Sequence, residues 1–219
     1  MPPIPKVPQP TILGVVPSTQ GGLQADLELL QEIKKWSIAK NRSKTILVLP
    51  DFVLLDKAAT LFYRTTVLLG AWDISVKDCK AEGGIPDAKT LSDAGVTIVD
   101  VTHDEEKIMR KTEEVVKSGM KPLICMQASA GTSPSQQFSH DFKNLLKQVQ
   151  AVLGTIPRPR ELVILWERKP HDGKYTVNDA EDDIRRIMSL LQKERLVDGV
   201  KIDYGIVGRI QGVEDLKTE

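Results

Sequence analysis

Apolar residues fall into seven short runs: 11–16, 45–50, 65–72, 96–102, 121–126, 161–167 and 199–205. Most are continuously apolar rather than alternating, the pattern of strands buried on both faces of a parallel sheet. Amphipathic stretches separate them. The segment LQADLELLQEIKKW sets Leu23, Leu27, Leu30 and Ile33 on one helical stripe, and FKNLLKQVQAVLG does so with Phe142, Leu145, Leu146, Val149 and Leu153, with Gly154 as the stop. A third, NDAEDDIRRIMSLLQKER, opens on Asn178 as N-cap and carries Ile184, Ile187 and Leu191 on one face, acids early and bases late. Seven strand–helix repeats without a second composition zone predict one α/β domain over 11–219. Periodicity alone fits both a doubly wound open sheet and an eight-stranded barrel lacking a piece.

Composition narrows the partners. The chain has 219 residues, 41% of them hydrophobic, and its thirty basic and thirty acidic side chains cancel. That balance speaks against nucleic acid and anionic membrane surfaces as partners. No apolar run approaches the roughly 20 residues of a bilayer span, so no membrane insertion is expected. The first ten residues, MPPIPKVPQP, hold five prolines and read as an extended proline-rich arm, with neither a secretory core nor a transit-peptide pattern. The two cysteines, Cys79 and Cys125, lack metal-ligand spacing; an intracellular, reducing compartment is the expectation, cytoplasmic by default.

Candidate chemistry lies at two strand ends. There is no phosphate loop, no dinucleotide fingerprint and no nucleophile elbow. The loop 125–137, rich in small residues, and His171 beside Asp172 both read as polar surface segments. His103 stands just past the run 96–102, followed at once by Asp104, Glu105 and Glu106, acids suited to a helix N-terminus. Glu167 closes the run LVILWE. In a parallel α/β barrel the carboxyl ends of strands carry the active residues, and a desolvated carboxylate beside an imidazole can move a proton next to a carbonyl. A histidine bonded to backbone and a glutamate paired with a nearby cation would account for both residues through stability alone.

The segment DAGVTIVDVTHDEEK resembles the stretch of triosephosphate isomerases that commonly reads D-C-G-A-T-W-V-V-L-G-H-S-E-R-R, with Asp93, Gly95, Thr97, Val99, His103 and Glu105 identical. LVILWE is similar to that family's V-L-A-Y-E, KPLICM to its fifth strand, and Tyr204–Gly205 to the Y-G of its seventh. The resemblance runs from about residue 11 to 212 and implies a (β/α)8 TIM-barrel-like fold, incomplete, with about seven strand–helix units. It implies Glu167 as the base and His103 as a neutral electrophile, a pairing for which this enzyme is a standard worked example. Gly205 is implied at the phosphate grip, and no cofactor or metal is implied.

The departures from that pattern set further expectations. Val15 and Pro17 stand where the family carries an asparagine and a cationic lysine. Arg168 opens a shortened lid, bulky Ile206 and Val207 follow Gly205, and the chain ends at Glu219, before the family's eighth strand and last helices. The expected protein is therefore a catalytically degenerate member acting as a structural or interaction subunit. The alternative is an active isomerase of glyceraldehyde 3-phosphate and dihydroxyacetone phosphate, or of a related carbonyl compound. Missing an eighth strand, the barrel is expected to leave strands one and seven open, covered by a protein partner or a second copy.

Overall fold

A computed structural model describes residues 11–17, 21–39, 45–76, 84–127, 134–167 and 177–210. The proline-rich arm, Cys79, the lid around 168–174, His171 and the C-terminal residues beyond 210 lie outside these. All seven predicted strands are present: β1 (Ile12–Pro17), β2 (Thr45–Val48), β3 (Leu68–Ala71), β4 (Ile98–Asp100), β5 (Lys121–Gln127), β6 (Glu161–Glu167) and β7 (Lys201–Ile210). They form one parallel barrel in chain order. Helices α1 (Gly22–Ala39), α2 (Leu55–Phe62), α3 (Ala88–Asp93), α4 (Ile108–Lys117), α5 (Pro134–Leu153) and α6 (Val177–Lys193) alternate with the strands.

The barrel is closed, which corrects the expectation of open edges. β7 turns back onto β1, in register from Ile12↔Gly205 to Pro17↔Ile210. The Thr11 amide adds a 2.8 Å bond to the Tyr204 carbonyl at the start of the seam. Around β3 the ladders are short: β2 and β3 share only Leu47↔Leu68 and Val48↔Leu69, and β3 and β4 only Gly70↔Ile98 and Ala71↔Val99. The unusual length of β7 supplies the backbone groups that saturate both edges, so no eighth strand is needed to satisfy them.

Continuous apolar strands are explained by two cores. Ile12, Val16, Leu47, Leu49, Ile98, Leu123, Val163, Leu165 and Val207 fill the barrel. Leu13, Val15, Val48, Leu69, Val99, Ile124, Ile164 and Ile206 face outward and pack in the layer beneath the helices. On α6 the predicted Ile184, Ile187 and Leu191 are fully buried, whereas on α1 Leu30 and Ile33 are buried but Leu23 stays half exposed. α5 ends at Leu153; the Gly154 amide still makes the helical bond to the Gln150 carbonyl, and Gly154 lacks the positive φ of a glycine cap, so the expected glycine stop is not formed there.

Barrel diameter grows with strand number, so seven strands leave less room inside than eight. Inward glycines relieve the crowding. A Cβ on Gly14 would lie 2.8 Å from Val207 and 2.9 Å from Leu165, and one on Gly70 would lie 3.0 Å from both Leu47 and Leu49. Gly205 is the tightest point, where a Cβ would stand 1.8 Å from the Ile12 carbonyl oxygen. At the amino ends of β5 to β7, Lys121, Glu161, Lys201 and Asp203 form a partly exposed charge network, with Lys201 3.8 Å from Glu161 and 3.7 Å from Asp203. Exposed ion pairs taken singly contribute about 0–1 kcal/mol.

Gly205→Ala therefore forces β7 off β1 and should lower the unfolding free energy by at least about 2 kcal/mol, the scale of core overpacking. Gly208→Ala in the same strand, where a Cβ meets nothing within 4 Å, is the control and should change stability by less than about 0.5 kcal/mol. Urea unfolding of the two variants beside the parent measures the difference. Equal stabilities would remove the close seam as the reason for the glycine.

Candidate functional site

The carboxyl ends of β3 to β6 gather the polar groups. β4 stops at Asp100, two residues earlier than its apolar run suggests. Two-residue alternation from the inward Ile98 turns Asp100 toward the interior as well, and it is 1% exposed. Its carboxylate is held from the chain beyond: Oδ1 accepts from the Thr102 amide at 2.9 Å and from the Thr102 hydroxyl at 2.6 Å. Those bonds turn the backbone out of the strand and put His103 on the rim. His103 Nε2 lies 3.7 Å from Asp100 Oδ2, with about half of the His103 side chain exposed. Its ring also meets the Trp72 indole in a T-shaped contact, centroids 6.3 Å apart. Trp72 is itself fixed by a 3.2 Å bond from its indole N–H to the Leu49 carbonyl.

Glu167 is where the sequence places it, the last residue of β6, in register with Gln127 and Val207 and 6% exposed. Cys125, a free thiol on β5, sits in the interior cluster and senses both carboxylates. Burial above all, then the charges of Asp100 and Glu167, push its thiol well above the ordinary range, which leaves it protonated and unreactive. Register sets Asp100 opposite Leu123 and Glu167 opposite Gln127 on the two sides of β5, so both carboxylates border the same end of the barrel as Cys125.

Beside the mouth a buried ion pair joins β3 to α4. Ile108, Lys111, Thr112 and Val115 form the buried stripe of α4, so Lys111 occupies a core position. Its ammonium reaches Asp73 Oδ1 at 2.6 Å, and the same oxygen lies 2.7 Å from the Ile74 amide that donates to it. Of the three acids after His103, Asp104 caps the turn Glu105–Lys107 that leads into α4, accepting from the Glu106 amide at 3.1 Å. Lys107 beside it, 2.7 Å away, holds its carboxyl below the usual range. Asp104 thus serves the turn that starts the helix, as an N-cap does.

The other expected positions behave differently. Strand alternation directs Ile12 and Val16 inward and Val15 outward, so Val15 stands in the layer beneath the helices, one residue out of step with an inward asparagine. The inward positions of β1 are apolar either way and bring no cation. Arg209 falls at the register of Val16 on β7. Gly205, expected at a phosphate grip, lies in mid-strand within the β1–β7 seam, five residues before the end of β7; backbone crowding is the reason for its missing side chain. Val207 is buried in the barrel. Sequence reasoning passed over Asp100, Asp73 and Lys111. Asp100 did leave a signal, a lone acid inside VTIVDVT; a lysine on a helical core stripe did so for Lys111. Among the described residues no group of three or more His, Cys, Asp or Glu is arranged to hold a metal, and no helix is long and apolar enough to cross a membrane.

Burial raises Asp100 from its ordinary 3.8 to about 6, against the opposing pulls of His103 and Thr102 and with a small push from Asp73. Between those two values the folded chain binds more protons than the unfolded one, so this group makes stability fall as pH rises through the window. The penalty is felt in full only above pH 6. Asp100→Asn keeps an acceptor for Thr102 and should raise the melting temperature at pH 7.5, the gain shrinking as pH falls from 6 to 4. A gain independent of pH would contradict the assignment. Lys111→Met strands the Asp73 carboxylate and should cost about 3–5 kcal/mol; adding Asp73→Asn should recover part of it in the same unfolding measurement.

The family model for triosephosphate isomerase matches residues 19–206. The triosephosphate isomerase of Thermoanaerobacter sp. (strain X514) is 26% identical over 199 residues, covering 82% of this chain and 78% of that protein. That of Trichlorobacter lovleyi is 26% identical over 192 residues, covering 80% and 75%. That of Magnetococcus marinus is 24% identical over 204 residues, covering 84% and 79%. Family match, parallel barrel and the polar mouth at its carboxyl end agree: the chain belongs to the triosephosphate isomerase family.

Proposed function

We propose that this chain is a catalytically degenerate member of the family, one that does not interconvert triose phosphates and works as a structural or interaction subunit. The observation that carries the reading is Asp100, a buried carboxyl turned into the mouth beside Glu167 and Cys125. At neutral pH it is ionised and repels a phosphate ester. A unit charge about 6 Å from another, at an effective dielectric near 20, costs about 3 kcal/mol, and a dianion doubles it. The described inward positions of β1 offer no compensating cation. Loss of one preorganised charge-stabilising group removes about 3–4 kcal/mol of transition-state stabilisation. Lys111, buried close by, is committed to Asp73. An association role no longer follows from open strand edges, since β7 covers β1; the partner surface of this reading lies on the outside of the closed barrel.

One observation favours a second reading, an active isomerase or an enzyme of a related carbonyl compound. Glu167 is buried at the end of β6 while His103 stands on the rim after β4, both at the face where barrels of this kind hold reacting groups. A buried glutamate at that face is suited to take a proton next to a carbonyl.

Turnover separates the two. Protein made in a host lacking its own isomerase should convert glyceraldehyde 3-phosphate no faster than Glu167→Ala made in parallel. Millimolar phosphoglycolate should leave the melting temperature unchanged, where a bound ligand at 100 times its dissociation constant would add about 3 kcal/mol. Turnover that disappears with Glu167→Ala would establish the second reading. Light scattering across a concentration series, and in mixtures with candidate partners, tests the association half.

A further inference from the structure

The half-exposed His103 is held more firmly than its exposure suggests. On one side its Nε2 lies 3.7 Å from Asp100 Oδ2. On another its ring meets the Trp72 indole nearly at right angles, 80° between planes. Both supports are themselves fixed. Asp100 is locked by two bonds from Thr102, and Trp72 by its bond to the Leu49 carbonyl.

We propose that Asp100 is a positioning residue for His103: its buried carboxylate holds the imidazole through the Nε2 side, and the two form one acid–base pair at the barrel mouth. The separation of 3.7 Å is longer than a direct hydrogen bond, so the link is a charge interaction across a short gap. At low effective dielectric such a link still couples the two protonation states. His103 in turn pulls the Asp100 carboxyl down against its burial, so the two sites answer to one another whether or not any substrate is turned over. This goes beyond the proposed function and does not depend on it.

Other charges face the pair and enter the same equilibrium. Asp73, at the end of β3, adds a negative field, and Lys111 from α4 is neutralised against it. Glu167 on β6 and the Cys125 thiol on β5 border the same interior, while Asp104 and Lys107 sit paired on the turn before α4. None of these lies between Asp100 and His103 in the contacts described, so the direct coupling should stand out from the background they supply.

Carboxyl 13C and imidazole 15N NMR on the intact chain, between pH 4 and 9, provides the test. In the parent protein the Asp100 carboxyl signal and the His103 ring signals should each show both steps of a shared titration. His103→Gln, a change at a half-exposed site that leaves the fold intact, should move the Asp100 midpoint to higher pH. Asp100→Asn should leave the His103 ring with a single step and with faster rotamer averaging of its side chain. Thr102→Val, which removes the hydroxyl bond to Asp100 and keeps the amide bond, should loosen the carboxylate and weaken the coupling, and serves if Asp100→Asn does not fold. An Asp100 midpoint unmoved by His103→Gln, or a carboxyl that does not titrate in this range, would overturn the proposal. Neither result bears on turnover of triose phosphates, so the two readings fail separately.

Discussion

Closure of the sheet by the β1–β7 pairing is the constraint on which the rest of the structure depends. A parallel barrel has no stable half-way state, because an unpaired edge exposes a row of amide and carbonyl groups that water or another chain must satisfy. Seven strands close only if the interior is narrow. That narrowness dictates glycine at Gly14, Gly70 and Gly205, leucine and isoleucine in the layers between, and a β7 long enough to follow β1 along its whole length. At Gly205, the position that family resemblance marks for phosphate binding, packing alone is reason enough for glycine, since a Cβ there would run into the Ile12 carbonyl.

The same narrowness bears on the mouth. An inward side chain in a tight barrel meets its neighbours across the axis, so a charge there is felt by several groups at once. Cys125 shows it, its thiol responding to carboxylates on two different strands. Asp100 shows it from the other side: burial alone would raise it further than about 6, and His103 and Thr102 draw it back. The Asp73–Lys111 pair follows a different logic. It lies between barrel and helix and ties α4 to β3, and Asp73 still adds a small push at Asp100.

Much of the fold was legible in the sequence because it rests on local, periodic signals. Continuous apolar runs gave all seven strands, and the long stripes of α1, α5 and α6 gave three helices. The shorter α2, α3 and α4 carry too few turns to stand out, and the stripe of α4 is broken by Lys111. What the sequence could not convey was closure, since strand pairing across 190 residues depends on barrel radius and not on any neighbouring residue. Half of the site was legible in the same way. Glu167 and His103 end apolar runs and so appear at strand ends, yet Val15 was read one residue out of step because inward and outward valines look alike in sequence. Asp100 was overlooked because a single acid inside a strand looks like a strand end, and only the barrel shows that it faces in.

A buried acid at the centre of an apolar barrel is costly unless its charge has a use or a partner. In this chain both Thr102 bonds go to one oxygen of Asp100, and the other oxygen faces the imidazole. A carboxyl retained only to stop the strand would be served by the Thr102 bonds alone, and an asparagine would serve as well without the penalty of burial. The geometry therefore ties the acid to the histidine beside it. On the reading proposed above, that tie joins an acid and a histidine into one pair at the open end of a barrel whose closure Gly205 permits.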